Sequence, residues 1–331
     1  MPDPSPSHHV FGVKPGSRNF VFAESLSEAK SFPSCVAEIV SAKGNVTHYE
    51  VGKPKNPKSM YPLSRGVVTN ETEAKLFAEI LKFSKIPLDS DIVIATPEAE
   101  LEYGRALLDR EIKAILKPKN IAYFSEPFCA AVTELGVDNA LNQVFSTMNL
   151  GSTSTGFGVF IPAMPLEGGL VREEKEILTS FTETSGVHVD EALFKKLKNV
   201  YGNPVVDINS VQLLKESFNY KSPSYMPIEI VMGNAQKTID CRAEVTSVLS
   251  DYVKKVATLF ISILKSDSTI TYSMLKNPVI VTGGMSNIPG LAEAIKKEVD
   301  TRFNASIPIQ VVKNGDVAPA KGALMLAKET F

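Results

Sequence analysis

The stretch from Asn277 to Ile295 joins an apolar, β-branched run to a double glycine and then to a helical pattern. Gly283 and Gly284 carry no Cβ to obstruct a base or a ribose and tolerate positive φ, and Met285 follows them directly. Ser286 or Asn287 can cap the helix that carries Leu291, Ala294 and Ile295. A strand entering a helix through such a turn lets backbone N–H groups approach a nucleotide, although an ordinary strand-to-helix turn uses the same residue types. Two further glycine-containing segments, one with Gly16 and Ser17 and the other with Gly151, Ser152, Thr153, Ser154 and Thr155, supply backbone N–H groups and small hydroxyls of a kind able to cradle phosphate oxygens.

Elements that would position these turns are visible in the hydrophobic periodicity. Apolar runs at Val10–Phe22, Ser34–Ile39 and Asp91–Thr96 predict strands, and Glu71–Phe83 and Glu100–Leu116 have the apolar spacing of helices. A second series opens with a hairpin over Gln143–Ile161. Helices at Val189–Val200, near Val211–Phe218 and at Glu244–Leu264 follow, then a strand at Val279–Thr282 and a closing helix. Two series that each open on a glycine hairpin imply two related α/β domains around a cleft, with ligands at strand ends.

Composition narrows the class. A chain of 331 residues exceeds one compact core, and 44% apolar residues suffice to fill two. A net charge of −2, with Lys and Arg spread along the chain, argues against a nucleic-acid surface. The three cysteines, Cys35, Cys129 and Cys241, are too few and too scattered for a disulfide framework or a metal knuckle. His8 and His9 have no cysteine or carboxylate beside them and read as a polar tail, so no metal site is assigned. Asn45, Asn70 and Asn304 begin glycosylation triplets that carry no weight without an export signal. No signal peptide and no membrane-length apolar run is present, which points to the cytoplasm.

Further segments, in order, resemble the actin-like ATPases, most closely the bacterial MreB and MamK type, over nearly the whole chain. Val10 to Phe22 resembles their first phosphate hairpin, and Tyr61 to Val68 their proline-x-x-x-glycine-valine entry to a helix. Ser125-Glu126-Pro127 resembles their connecting helix, Met148 to Gly156 their second phosphate hairpin and Ala320 to Ala327 their closing helix. The resemblance implies an α/β actin-like fold of two related domains around a nucleotide cleft. They would span residues 10–140 and 141–331, with small insertions at about 33–62 and 165–240, behind a disordered tail at 1–9. Prolines at positions 2, 4 and 6 break the N-terminal amphipathic helix that some MreB-type filaments use on membranes, so direct membrane insertion is not expected.

By the same resemblance, Lys215 and Glu216 match the lysine-glutamate step that reaches base and ribose. Glu216 would accept from ribose hydroxyls while the Lys215 stem lies along the base. Gly186, with Asp190 and Glu191 following, matches the glycine-to-helix step that borders the phosphates. The family carries an aspartate in each hairpin, where this chain has Lys14 and Asn149. Those carboxylates hold Mg²⁺ through its waters and order the attacking water, work that needs negative charge. Lys14 could instead offer its ammonium to a phosphate, so that binding outlasts hydrolysis. Phe20 stands where the family has threonine, and Gly156 where it has an acidic residue or histidine. The residue that orients water is expected near the start of the helix after Pro97, at Gly104 or Tyr103, with Glu100 and Glu102 within a turn.

The resulting expectation is a filament or scaffold protein that binds ATP or GTP, with Mg²⁺ as the family's ion, and is at most a weak ATPase. Its partners would be copies of itself assembled head to tail, and an adaptor or cargo protein. The alternative from another class is a nonpolymerising actin-fold pseudo-enzyme acting as an adaptor. A sugar or acetate kinase of the superfamily is disfavoured by the short chain and the missing hairpin aspartates.

Overall fold

In the computed structural model, residues 9–63, 67–97, 102–162, 174–233, 235–266 and 268–331 are described. The tail up to His8, the middle of the Tyr61–Val68 motif and Glu100 lie outside them. In chain order the elements are β1 (Val10–Pro15), β2 (Asn19–Ala23), β3 (Ala29–Pro33), β4 (Val36–Val40), β5 (Val46–Val51), α1 (Glu71–Ser84), β6 (Asp91–Thr96) and α2 (Glu102–Leu116). Next come β7 (Asn120–Ser125), α3 (Glu126–Leu135), α4 (Val137–Asn142), β8 (Phe145–Leu150), β9 (Thr155–Ile161), β10 (Glu174–Phe181), α5 (Gly186–Val200) and α6 (Ile208–Glu216). The remainder is β11 (Pro227–Met232), β12 (Ala235–Asp240), α7 (Arg242–Leu264), α8 (Ser268–Lys276), β13 (Val279–Thr282), α9 (Leu291–Phe303), β14 (Ile309–Val311) and α10 (Ala318–Thr330).

Two five-stranded sheets share one plan. Their orders are β3-β2-β1-β6-β7 and β10-β9-β8-β13-β14. In the first, β1 pairs antiparallel with β2 and parallel with β6, which pairs parallel with β7. In the second, β13 lies parallel between β8 and β14. Every residue of β6, β8 and β13 is buried, the burial pattern of parallel strands covered on both faces. Two short antiparallel sheets, β4–β5 and β11–β12, fall in the stretches where small insertions are expected.

Local chemistry explains several helix boundaries. Asn70 caps α1 by accepting from the Glu73 N–H at 3.0 Å, and the Glu73 carboxylate returns to the Thr69 N–H at 2.8 Å, a reciprocal cap that fixes the start. Lys85 ends the same helix in the left-handed region at φ 56°. The helix expected at Val211–Phe218 begins earlier, because Asp207 accepts from the Ser210 N–H at 3.0 Å. Along α7, Val245, Val248, Leu249, Tyr252, Val253 and Val256 are buried at three- and four-residue steps.

The chain divides into two compact units, Met1–Gln143 with Phe160–Glu176 and Val317–Phe331, and Val144–Val159 with Ile177–Asp316. A single boundary at residue 140 would have put α10 in the second domain, whereas its packing puts it in the first unit. The cause is close backbone contact. A Cβ on Gly12 of β1 would lie 2.0 Å from the Ala320 carbonyl oxygen, and one on Gly322 of α10 would lie 1.7 Å from that of Cys129 in α3. The first unit's core gathers Phe11, Phe20, Phe22 and Phe77 around Ile92 and Ile94. The second packs Phe157, Phe218 and Phe260 against α5, α7 and α9.

Candidate functional site

In the first unit, the β1–β2 turn is pinned from beneath by buried Ser34, whose Oγ donates to the Gly16 carbonyl at 2.6 Å and whose N–H donates to the Arg18 carbonyl at 2.8 Å. A Cβ at Gly16 would strike the Asn19 carbonyl at 2.5 Å, so the tight turn itself requires glycine. The same point lies only 3.5 Å from Lys14 Nζ. The Lys14 side chain therefore folds over the turn that also carries Ser17. Its ammonium stands 3.1 Å from Glu126 Oε1, with the two side chains 12% and 14% exposed. Glu126 opens α3, and the pairing of β6 with β7 delivers that helix start to the hairpin. Arg18 lies across the Tyr61 ring at 4.7 Å. Phe20, where the family has threonine, is fully buried among aromatic side chains.

The second unit assembles its turns by backbone hydrogen bonds. The Gly151 N–H closes the β8–β9 turn on the Ser154 carbonyl at 2.9 Å. The first N–H groups of α5 reach back to the same turn, Gly186 to the Gly151 carbonyl at 3.1 Å and Val187 to the Ser152 carbonyl at 2.8 Å. Gly186 sits where a Cβ would meet Met285 Sδ and Ser152 Cα, both at 3.3 Å. Thr153 is part of this turn.

Across the sheet, Thr282 pairs with Asn149, which brings the double glycine beside the hairpin. At Gly283, φ is +90° and a Cβ would lie 2.4 Å from the Leu150 carbonyl and 2.6 Å from Asn149 Oδ1. Gly315 holds this turn in place. Its carbonyl accepts from the Gly283 N–H at 3.3 Å and from Thr282 Oγ1 at 3.0 Å, and its N–H donates to Asn287 Oδ1 at 3.0 Å. Gly284 differs from its neighbours. It is exposed, and a Cβ there would meet nothing within 4 Å among the described residues. Neither positive φ nor packing demands a glycine at that position.

Lys215 lies on α6 with its side chain 6% exposed. Its Nζ is 2.8 Å from Asp190 Oδ1 and donates to the Gly186 carbonyl at 3.2 Å. Its charge thus ties α6 to the start of α5. Glu216 is exposed and accepts from Gln212 Nε2 at 2.8 Å.

Among the expected residues, Asn149, Gly151, Ser152, Thr153, Gly186, Lys215, Gly283, Gly284 and Met285 come together in the second unit, with Glu216 at the exposed end of α6. Lys14, Gly16 and Ser17 come together in the first. The two positions expected for a water-orienting residue both lie on α2. Gly104 backs onto the Val68 carbonyl, 2.8 Å from where its Cβ would be, and Tyr103 is 61% exposed. Among the described residues, Glu126 is a carboxylate that reaches the first hairpin. The sequence marked its Ser-Glu-Pro helix start without assigning the glutamate a partner.

The N–H groups of Gly16, Gly151 and Gly186 are taken up within the turns, at 3.1, 2.9 and 3.1 Å. The first hairpin's donor set, with its ammonium, does not suit a divalent cation. Where the family places carboxylates, the first turn presents an ammonium and the second a neutral amide, whose Oδ1 is buried with no hydrogen-bond partner among the described residues. Hard cations need anionic or carbonyl oxygens converging on one point. Among the described residues no three His, Cys, Asp or Glu side chains gather for one.

Two sheets on one strand plan, each opening on a glycine hairpin, together with the β13–glycine turn, define an actin-like α/β protein of two related domains. A MamK double helical filament matches the structure with a TM-score of 0.77 at 20% identity, over 97% of this chain and 99% of that one. MreB5 of Spiroplasma citri bound to AMPPNP matches with a TM-score of 0.78 at 17% identity, over 98% of this chain and 97% of that one. The chain belongs to the Salactin family, whose sequence profile matches residues 10–331. Salactin of Halobacterium salinarum is 25% identical over 343 residues, covering 96% of this chain and 91% of that protein. Among the described residues no helix is long and apolar enough to cross a membrane.

Proposed function

We propose that the chain is an actin-like filament or scaffold protein that binds a purine nucleotide, ATP or GTP, and hydrolyses it slowly or not at all. It works in the cytoplasm and assembles head to tail with copies of itself. The observation that carries the nucleotide reading is Gly284, a glycine that neither the fold's sterics nor its backbone angles require. The open space at this exposed glycine leaves room for a base or ribose to approach the backbone. The crystal forms of MreB5 of Spiroplasma citri with AMPPNP and with ADP support the same reading.

Assembly is supported by the similarity to a MamK double helical filament. Slow hydrolysis is supported by Lys14, whose ammonium cannot hold a cation's waters, and by Asn149, whose neutral amide oxygen holds them less strongly than a carboxylate would. These substitutions also favour a second reading, a nonpolymerising adaptor that keeps the fold without the chemistry. Negative-stain electron microscopy of the purified protein with ATP, with phosphate release followed in the same tube, separates the two. Filaments with phosphate release far below that of an active ATPase are the expected result. No filaments at any nucleotide or protein concentration would move the assignment to the adaptor.

A further inference from the structure

We propose that the Lys14–Glu126 ion pair takes the place of a divalent cation, so that the first hairpin binds the nucleotide's phosphate without Mg²⁺ by exchanging one anion for another. The proposal rests on the nucleotide reading above and names the chemistry of its phosphate contacts.

Three observations converge on one point. The ammonium is folded over the tip of its own hairpin, beside a glycine turn that also carries Ser17, whose hydroxyl is of the kind such loops turn toward phosphate. It is nearly buried, which strengthens any charge-assisted hydrogen bond made there. Its partner is a carboxylate, whose charge and oxygen geometry a phosphoryl oxygen reproduces. A phosphate arriving at the turn meets a cation that the chain itself supplies, and Glu126 is the resident anion it displaces from Lys14. The freed carboxylate stays at the first turn of α3, where the helix's N–H groups favour negative charge. A divalent cation would have to enter beside an ammonium, and the same-sign repulsion works against it.

The pair also sets the direction of each mutational effect. Glu126 competes with phosphate for Lys14 and repels it, so neutralising Glu126 tightens binding. Removing the ammonium deletes a charged hydrogen bond and weakens binding roughly 10- to 100-fold. A carboxylate at position 14, next to Glu126, creates an acidic pair that repels phosphate unless a cation bridges them.

The test is a fluorescence titration of the full-length chain with a ribose-labelled ATP, in EDTA and in excess Mg²⁺. Wild type, Lys14→Met, Glu126→Gln, the double change Lys14→Met/Glu126→Gln, and Lys14→Asp would be compared, with thermal melts to confirm that each is folded. The double variant does not leave Glu126 charged opposite a lost ammonium and so covers the case in which Lys14→Met alone fails to fold. Wild type is expected to bind with affinities within about threefold in the two buffers, a difference below 1 kcal/mol. Glu126→Gln should bind more tightly in EDTA, the variants lacking Lys14's charge more weakly in both buffers, and Lys14→Asp only with Mg²⁺. Wild-type binding that needs Mg²⁺ and is indifferent to Lys14→Met/Glu126→Gln would overturn the proposal while leaving nucleotide binding intact. Absence of binding in both buffers would overturn the nucleotide reading itself, and this proposal with it.

Discussion

Replacing Gly322 by alanine sets two effects of one methyl group against each other. In an unpacked helix interior, alanine is more stable than glycine by about 1 kcal/mol. At this position of α10 the new Cβ would lie 1.7 Å from the Cys129 carbonyl oxygen and 2.6 Å from its carbon. Carbon and oxygen sit comfortably at about 3.3–3.6 Å, so the two helix backbones must part by roughly 1.5–2 Å. A gap of even 0.5–1 Å forfeits about a quarter to a half of each dispersion contact along the seam. Ala320, Ala323, Leu324 and Ala327 are all buried on α10 and would share that loss. Overpacking of a tight core costs about 1–3 kcal/mol, and with backbone on both sides of the clash the upper end applies. After the propensity gain, a net loss of about 2 kcal/mol remains, a large part of a typical 5–15 kcal/mol stability. Urea unfolding, followed by circular dichroism and by tyrosine fluorescence because the chain has no tryptophan, reads this as a lower midpoint. Gly12→Ala presses α10 on another side, so the double variant should lose less than the sum of the singles. A Gly322→Ala protein as stable as wild type would refute the close packing of α10 on α3.

Neighbouring glycines in the nucleotide turn should separate binding from folding. Gly284→Ala is expected to melt with wild type, within about 0.5 kcal/mol, and to bind labelled ATP more weakly. Gly283→Ala, with φ of +90° and the Leu150 carbonyl 2.4 Å from its Cβ, should lose about 1–3 kcal/mol of stability. Undiminished binding by Gly284→Ala would remove the main support for a ligand at that turn. Stability should also fall in alkali. Burial, with the charges of Glu244 and Asp240 adding to it, pushes the Cys241 thiol from 9.0 up to about 12. Burial and Glu244 push Tyr201 up to about 12, and burial raises Tyr252 as well. Each group holds its proton longer folded than unfolded, so the stability it contributes is whole below pH about 9 and drains away as pH rises toward about 12. Urea midpoints measured across that range check the slope, and Cys241→Ala should make it shallower.

Much of the fold was legible because burial writes itself into sequence. The continuous apolar strands β6 and β13 stand out as interior parallel strands, and α7 announces its buried stripe by spacing. Strands β3, β5 and β12 escaped notice because they are largely exposed and their mixed residues carry no alternation. The glycine turns of the site were visible for a different reason, since a tight turn or a close backbone approach excludes every other residue type. Glu126 was missed because its partner Lys14 belongs to the distant β1, and a pair made across the β1-β6-β7 ladder leaves no periodic trace. Lys215 was placed on the right helix. Its ion pair with Asp190 could not be read from an Lys-Glu step that is common on any exposed helix.

The return of α10 to the first unit also governs the order in which this protein can finish folding during synthesis. Gly12 and Cys129 emerge early, yet the helix that covers them is translated only after the intervening second unit. At about 5–20 residues per second, the roughly 170 residues from Gln143 to Val317 delay that cover by roughly 10–35 s. Throughout that interval the nascent first unit carries an uncovered apolar seam along β1 and α3. The second unit has all its strands and helices in hand before α10 exists, so it can complete its core first although it is made second.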